Sequence, residues 1–172
     1  MFSLFQTKPN KKAVCYYRHS AEDKQENSVF IQREHAQKFA AEIGATPTSA
    51  EDAVRGADVV VTCTNSPDPV LRGGWLKTGA LVNAVGAVGE QRRELDDEAM
   101  RGAIVVDSRE AALQESGDVL LAGARIHAEL GELLAGTQPL PQARTTVFKS
   151  LGLAVEDIAA AKLVLQKLAV SN

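Results

Sequence analysis

Short runs of apolar, largely β-branched residues alternate along the chain with segments of helical periodicity. Three of these runs are set off by glycines or charged residues, namely 57–64 (ADVVVTCT), 80–85 (ALVNAV) and 103–107 (AIVVD). An unbroken apolar run is typical of a strand buried on both faces of a parallel sheet, and we expect this of 57–64. Strands that alternate with short helices predict an α/β fold with a doubly wound parallel sheet.

The remaining segments complete this pattern. Residues 13–17 (AVCYY) and 145–149 (TTVFK) are predicted as further strands. Periodicity and capping signals predict helices from Ser28 to a left-handed stop at Gly44, from a capping box at Thr48 to Arg55, around 128–135, and from about 155 to 170. The last helix is apolar on more than one face, so we expect it to need a partner surface.

Composition and charge exclude several classes of protein. The chain has 172 residues, and its 19 Lys+Arg and 22 Asp+Glu give a formal net charge of −3, which argues against a general polyanion-binding surface. Cys15 and Cys63 have no paired spacing, which argues against a disulfide framework or a Cys/His zinc site. Residues 1–12 are polar and contain neither a signal-peptide core nor a membrane span, so we expect a cytoplasmic protein without membrane contact.

Ligands of doubly wound sheets bind beyond the carboxyl ends of the strands, which places the candidate residues in the three loops 64–69, 83–88 and 107–109, with Lys149 at a further strand end. Thr64-Asn65-Ser66 offers hydroxyl, amide and backbone donors to a phosphate, ribose or amide, although a plain βα loop has the same composition. The small residues of 83–87 (NAVGA) either let a flat ring approach the backbone or include a packing glycine. Lys149 is either a cation for an anionic ligand or a solvated lysine.

Two isolated residues carry weaker signals. Asp107 follows a predicted strand and is as well suited to cap a helix as to bind a ribose. His127 stands alone at a predicted helix start, which gives little support for a metal or general-base role.

From about residue 39 to 168 the chain resembles the ornithine cyclodeaminase/mu-crystallin family. The resemblance rests on motifs in family order: ADVVVTCTNSPDPVL (57–71), GALVNAVGAVGEQRRELDDE (79–98), VVDSREAALQESGDVLLAG (105–123), AELGELLAG (128–136) and TTVFKSLGLAVEDIAAAKLV (145–164). It implies a Rossmann-like domain that binds NADPH or NADH. The positions it places around the cofactor are Thr64, Asn65, Ser66, Asn83, Ala84, Val85, Gly86 and Lys149.

The resemblance also bears on the reaction. The cyclodeaminase branch has an acid/base aspartate where this chain has Val88. Hydride transfer to the C=N bond of a small cyclic imine is therefore favoured over carboxylate-dependent deamination, and the implied ligands are the dinucleotide and a cyclic imine or amino acid.

Two parts of the family pattern do not occur in this sequence. No GxGxxG is present, and the first predicted strand is followed by 18–23 (RHSAED) instead. The substrate domain that precedes the cofactor domain in the family has no counterpart here either. We therefore expect an incomplete Rossmann-like sheet, weak cofactor binding, little or no activity of the chain alone, and self-association through the C-terminal helix.

Residues 13–38 instead resemble the amino terminus of a large serine recombinase. The resemblance rests on Tyr17, Arg18, Ser20, Gln25, Ser28 and Gln32. It implies an alternative function in DNA strand exchange, with Ser20 as the nucleophile and Arg18 stabilising charge on the phosphate. Two further alternatives are that Ser20 only caps a turn and that the chain is a non-enzymatic fusion product. The expected organisation is a polar leader (1–12), a recombinase-like segment (13–38) and the C-terminal part of an NAD(P)-binding domain (39–172).

Overall fold

The structure is a computed structural model that describes residues 11–13, 34–35 and 37–170, with the side chains of 34–35 and 37–168. The chain forms two compact units, Met1–Gly56 and Ala57–Asn172. The boundary predicted between residues 38 and 39 therefore falls inside the first unit.

The first unit contains a two-stranded parallel sheet of β1 (Lys11–Ala13) and β2 (Ala45–Pro47). Residues 37–42 are helical, and Gly44 ends this segment with a φ of 66°, as predicted. Helix α1 (Ala50–Val54) begins one residue later than the predicted capping box, because Ser49 accepts a hydrogen bond from the Asp52 amide at 3.1 Å. Most of the predicted strand at 13–17 lies outside the described residues.

The second unit is built on a five-stranded sheet in which all pairs are parallel. Its strands are β3 (Val59–Thr62), β4 (Leu81–Ala84), β5 (Ala103–Val106), β6 (Ile126–Glu129) and β7 (Thr146–Lys149), in the order β3-β4-β7-β5-β6. The helices of this unit are α2 (Arg109–Glu115), α3 (Gly117–Ala122), α4 (Leu130–Leu134) and α5 (Ala154–Val170). The predicted α/β fold with a parallel sheet is confirmed.

The core of this unit lies on the three central strands, where Val82, Ile104 and Val147 are fully buried. The sequence predicted β4, β5 and β7 within one or two residues. The first two are apolar runs bounded by glycine or polar residues, and 145–149 is rich in β-branched and aromatic residues. The sequence missed β6, whose four residues include His127 and Glu129, and the helix predicted around 128–135 begins only at Leu130.

The expectation that 57–64 is a buried strand is wrong. Strand β3 pairs only with β4 in the described sheet, so it is an edge strand. Val59 is 55% exposed and Val61 is 60% exposed. β-branched residues favour extended backbone at an edge as much as in the centre, so the composition of the run does not report its place in the sheet.

Helix α5 presents apolar side chains to solvent. All described side chains from 154 to 168 are exposed, and they include Val155, Ile158, Leu163, Val164, Leu165 and Leu168. A helix with this much uncovered apolar surface is typical of one that packs on a partner. No helix in the described part of the chain has the length and hydropathy of a membrane span.

Candidate functional site at the carboxyl edge of the parallel sheet

The last residues of all five strands form one row across the sheet. Thr62 is in register with Ala84, Ala84 with Lys149, Lys149 with Val106, and Val106 with Glu129. Because every strand points the same way, the loops that follow emerge at a single edge. The predicted cofactor residues therefore lie in adjacent loops and strand ends.

The loop after β3 is partly open to solvent. Asn65 is exposed, and its carbonyl oxygen accepts a hydrogen bond from Arg92 Nη1 at 2.9 Å. Ser66 is buried, and its hydroxyl accepts from the Asp68 amide at 3.3 Å. The buried hydroxyl oxygen of Thr64 has no hydrogen-bond partner among the described residues. This loop therefore presents one exposed amide side chain and one unpartnered hydroxyl.

The loop after β4 packs directly on the loop after β3. The Val85 amide donates to the Thr62 carbonyl at 2.9 Å, and the Val85 side chain is 44% exposed. A Cβ atom built on Gly86 would lie under 3.0 Å from backbone atoms of Thr64 and Cys63. Gly86 is thus a packing glycine, because the backbone of the loop after β3 lies too close to it for any larger residue. Asn83 is half-buried and Ala84 fully buried.

Glu94 joins these two loops, and sequence reasoning missed it. Its side chain is fully buried, and its carboxylate accepts hydrogen bonds from the amide of Thr64 and from the amide of Gly86 at 2.9 Å. Glu94 lies in the charged segment 90–98 (EQRRELDDE), where nothing in the spacing separates it from its exposed neighbours. A buried carboxylate is tolerated here because the two amides satisfy it.

Lys149 reaches the loop after β4 from inside the protein. It is fully buried, its ammonium donates to the Ala87 carbonyl at 2.6 Å, and it lies 3.3 Å from Asp118 Oδ2. The interpretation of Lys149 as a solvated lysine is wrong, because the ammonium has an anionic partner that is itself fully buried. The buried Lys149 side chain therefore stabilises the loop after β4 through its hydrogen bond to the Ala87 carbonyl.

Asp118 continues this buried chain of contacts. Its Oδ1 accepts hydrogen bonds from the amides of Glu94 at 2.8 Å and Leu95 at 2.9 Å. Its Oδ2 makes no hydrogen bond with the described residues, so its interaction with Lys149 is that of two charges. Asp118 therefore anchors both the segment that carries Glu94 and the lysine.

Asp107 holds the loop after β7. Its Oδ2 accepts from the Ser150 hydroxyl at 2.9 Å and from the amides of Leu151 and Gly152 at 2.7 Å each, and its Oδ1 accepts from the Ser108 amide at 2.8 Å. The helix that follows β5 is capped by Ser108, which accepts from the Ala111 amide. Asp107 therefore caps no helix, and its carboxylate is occupied by loop hydrogen bonds.

Burial raises the pKa of Asp107, but the hydrogen bonds from Gly152, Leu151, Ser150 and Ser108 together bring the pKa below its ordinary value of 3.8. A carboxyl with a lowered folded-state pKa stabilises the protein above the unfolded-state pKa. That stability is lost as the pH falls from there through the folded-state pKa.

We expect the free-energy difference between wild type and Asp107→Asn to be largest near neutral pH and to shrink below pH 3.8. Urea unfolding of both proteins across this range measures it, and a difference that grows on acidification would contradict the assignment.

The structure places one other candidate, His127, outside the loops at the carboxyl edge. His127 lies in β6, and its Nε2 is 3.0 Å from the Pro139 carbonyl oxygen. No group of three or more potential metal-ligating side chains occurs within the described ranges. Ser20 and Arg18 lie outside those ranges.

Concave surface also occurs at the opposite edge of the sheet. Cavities of about 410 and 560 Å³ share Arg101, Gly102 and Arg125 as lining residues, near the amino ends of β5 and β6. Neither cavity includes a predicted cofactor residue. The carboxyl edge remains the candidate site, as the topology of a parallel sheet favours.

The sequence motifs at this edge match a known family. The model of the ornithine cyclodeaminase/mu-crystallin family matches residues 14–172. The chain belongs to this family. The match includes residues 14–38, and a relative aligns with 96% of the chain, so the comparisons give no support for a segment derived from a recombinase.

Curated relatives in the family include two kinds of reductase. The chain is 57% identical over 136 residues to ketimine reductase mu-crystallin of Mus musculus, which covers 77% of this chain and 44% of the relative. It is 35% identical over 176 residues to Delta(1)-pyrroline-2-carboxylate reductase of Bacillus thuringiensis, covering 96% of this chain and 52% of the relative. The chain thus spans about half the length of these relatives.

Solved structures from the family have the same fold. Delta(1)-pyrroline-2-carboxylate reductase of Thermococcus litoralis, in complex with NADH and L-proline, superimposes with a TM-score of 0.70 at 37% identity, covering 81% of this chain and 47% of that one. An archaeal alanine dehydrogenase dimer with bound NAD has a TM-score of 0.70 at 34% identity, covering 83% and 48%. The parallel sheet is therefore the Rossmann-like sheet of NAD-binding family members.

Proposed function

We propose that the second unit binds NADH or NADPH at the carboxyl edge of its sheet, and that it belongs to a reductase of cyclic C=N bonds. The observation that carries the proposal is the row of strand ends. It brings the predicted residues, which lie at the ends of β4 and β7 and in the loops after β3 and β4, to one edge in a family whose solved members include complexes with NADH and NAD. When bound, the reduced nicotinamide supplies the hydride.

The residues of this edge divide into two groups in the proposed site. Asn65, Val85 and the hydroxyl of Thr64 are the groups that would hold the cofactor, since they are exposed or unpartnered among the described residues. Ser66, Asn83, Ala84, Gly86 and Lys149 shape the loops, and Lys149 does so through the Ala87 carbonyl.

The substrate proposal is a small cyclic imine, or the amino acid formed from it. Val88 is exposed in the loop after β4, at the position where the resemblance places an acid/base aspartate in cyclodeaminases. An alkyl side chain cannot transfer a proton, so Val88 cannot act as the acid/base group of a deamination, which favours reduction of a C=N bond. In that reduction the carbon receives the hydride, and the nitrogen receives a proton from solvent or from a group other than Val88. The named activities of the two curated relatives agree with this choice.

Weak binding is part of the proposal. The sequence has no GxGxxG, so the pyrophosphate would lose backbone hydrogen bonds and the helix-dipole contribution, each on the order of 1 kcal/mol or more. We expect an affinity at least about tenfold weaker than that of a domain with the motif, and little or no activity of this chain alone.

Titration of the full chain with NADH and NADPH, followed by nicotinamide fluorescence and thermal shift, tests this proposal. Thr64→Val removes an unpartnered buried hydroxyl with little change of shape, so we expect unchanged stability and weaker binding if the cofactor uses that hydroxyl. Thr62→Val is the matched control, because it removes the other unpartnered threonine hydroxyl from within β3. A folded protein that binds neither nucleotide would refute the proposal.

Self-association through α5 is a further part of the proposal, supported by the exposed apolar side chains of that helix. We expect multi-angle light scattering to detect dimers or larger species whose population rises with concentration. Replacing Ile158 and Leu165 with glutamine should shift the population toward monomer. A wild-type chain that is monomeric at all concentrations would contradict self-association.

A further inference from the structure

We propose that Glu94 is a positioning residue that sets the spacing of the two loops between which the cofactor would bind. This inference rests on the function proposed above and adds a residue that the sequence did not predict.

The carboxylate of Glu94 contacts both loops at once. One oxygen accepts from the amide of Thr64 and the other from the amide of Gly86. These amides belong to residues at the start of one candidate loop and in the middle of the next. A single rigid group therefore fixes the distance between two segments that are remote in sequence.

The backbone of Glu94 is held as firmly as its side chain. Its carbonyl accepts hydrogen bonds from the amides of Val70 at 2.8 Å and Leu71 at 2.9 Å. Its amide donates to Asp118 Oδ1 at 2.8 Å. The backbone of Glu94 is therefore fixed by hydrogen bonds on both its carbonyl and its amide. A carboxylate on a fixed backbone can hold two loops at a defined spacing, as a preorganised site requires.

Buried contacts connect Glu94 with Lys149, the last residue of β7. Asp118 lies 3.3 Å from Lys149, which donates in turn to the carbonyl of Ala87, next to Gly86. Glu94, Asp118 and Lys149 are each fully buried. The loop after β4 is thus held by Glu94 at one residue and by Lys149 at the next.

Glu94→Gln is the variant that tests this role. Glutamine has the same length, but its terminal group has one acceptor oxygen and one NH2 donor. The NH2 must face an amide donor of Thr64 or Gly86, so one loop is displaced while the fold is retained. We expect the dissociation constant for NADH to rise at least about tenfold, with an altered emission of bound nicotinamide at saturation. Glu94→Asp, which keeps both acceptors on a shorter arm, should recover part of the loss.

Two measurements separate positioning from general stability. Ile104→Val is the control, because it removes buried volume from β5 without touching either loop. It should leave the affinity and the emission of bound NADH unchanged at temperatures where the protein is folded. Amide hydrogen exchange of the unliganded Glu94→Gln protein should lose protection at Thr64 or Gly86, whichever faces the new NH2 group, while Val82 and Val147 keep theirs.

The outcomes distinguish this inference from the function on which it rests. If wild type binds NADH and Glu94→Gln binds it equally well, the role of Glu94 is refuted and the proposed function stands. If wild type does not bind NADH, the proposed function is refuted, and the role of Glu94 in cofactor binding is refuted as well. Unchanged exchange at Thr64 and Gly86 would refute the bracing contact in either case.

Discussion

Lys149→Met is expected to lower the free energy of unfolding by about 3 to 5 kcal/mol. The ammonium of Lys149 and the carboxylate of Asp118 are both fully buried and lie 3.3 Å apart. Removing the cation leaves a buried anion without its counter-charge, and it also takes the donor from the Ala87 carbonyl. Urea unfolding of wild type and variant at neutral pH measures the loss.

A double-mutant cycle isolates the charge pair. Asp118→Asn keeps an acceptor for the amides of Glu94 and Leu95 while it removes the charge. We therefore expect the double variant to be more stable than Lys149→Met alone, with a coupling of about 1 to 3 kcal/mol. Lys162→Met, on the exposed surface of α5, is the control for loss of a lysine and should change stability by less than about 0.5 kcal/mol. Equal stability of Lys149→Met and wild type would contradict the buried pair.

Gly86→Ala is expected to have the second largest effect, a loss of about 3 kcal/mol with loss of NADH binding. The new methyl would lie under 3.0 Å from backbone atoms of Thr64 and Cys63, which cannot turn aside as a flexible side chain can. The two loops must separate to admit it, and this breaks the contact of Glu94 with at least one of them. Thermal unfolding and the NADH titration measure the two effects.

Gly131→Ala is the matched control for this substitution. A Cβ atom at Gly131 meets no atom within 4 Å, and Gly131 lies in helix α4. Alanine is favoured over glycine in a helix by up to about 1 kcal/mol, so this variant should be as stable as wild type or more so. If both alanine variants behave alike, the close packing of Gly86 on the loop after β3 is refuted.

Burial of charge is where the sequence was least informative. Glu94 stands among acidic and basic residues with the same local pattern, and only the fold turns its carboxylate toward two amides. Lys149 gave two interpretations, a ligand contact and a solvated side chain, and the structure shows a buried ion pair instead. The sequence suits Asp107 equally to a helix cap and to a ribose ligand, yet its carboxylate organises the loop after β7. Thr64 lies 30 residues from Glu94, and Leu151 and Gly152 lie 44 and 45 residues from Asp107, beyond the reach of local pattern.

The sequence also did not indicate whether a strand lies at the edge or in the centre of the sheet. The run at 57–64 and the run at 80–85 are similarly apolar, but β3 is an edge strand with exposed valines and β4 is central. Strand order depends on which connections cross the sheet, and here β7 inserts between β4 and β5. Short segments with polar residues, such as β6, become strands only because the neighbouring strand β5 provides hydrogen-bond partners.

The sequence by itself determined the α/β class, the parallel strands β4, β5 and β7, the stop at Gly44 and the family, because apolar periodicity, glycine conformation and ordered motifs are local properties of the chain. Only the tertiary structure decided that Glu94, Asp118 and Lys149 form one buried chain of contacts behind the candidate site. Such contacts require groups from separate segments to leave water together, and the free energy that makes this favourable exists only when the whole sheet has formed.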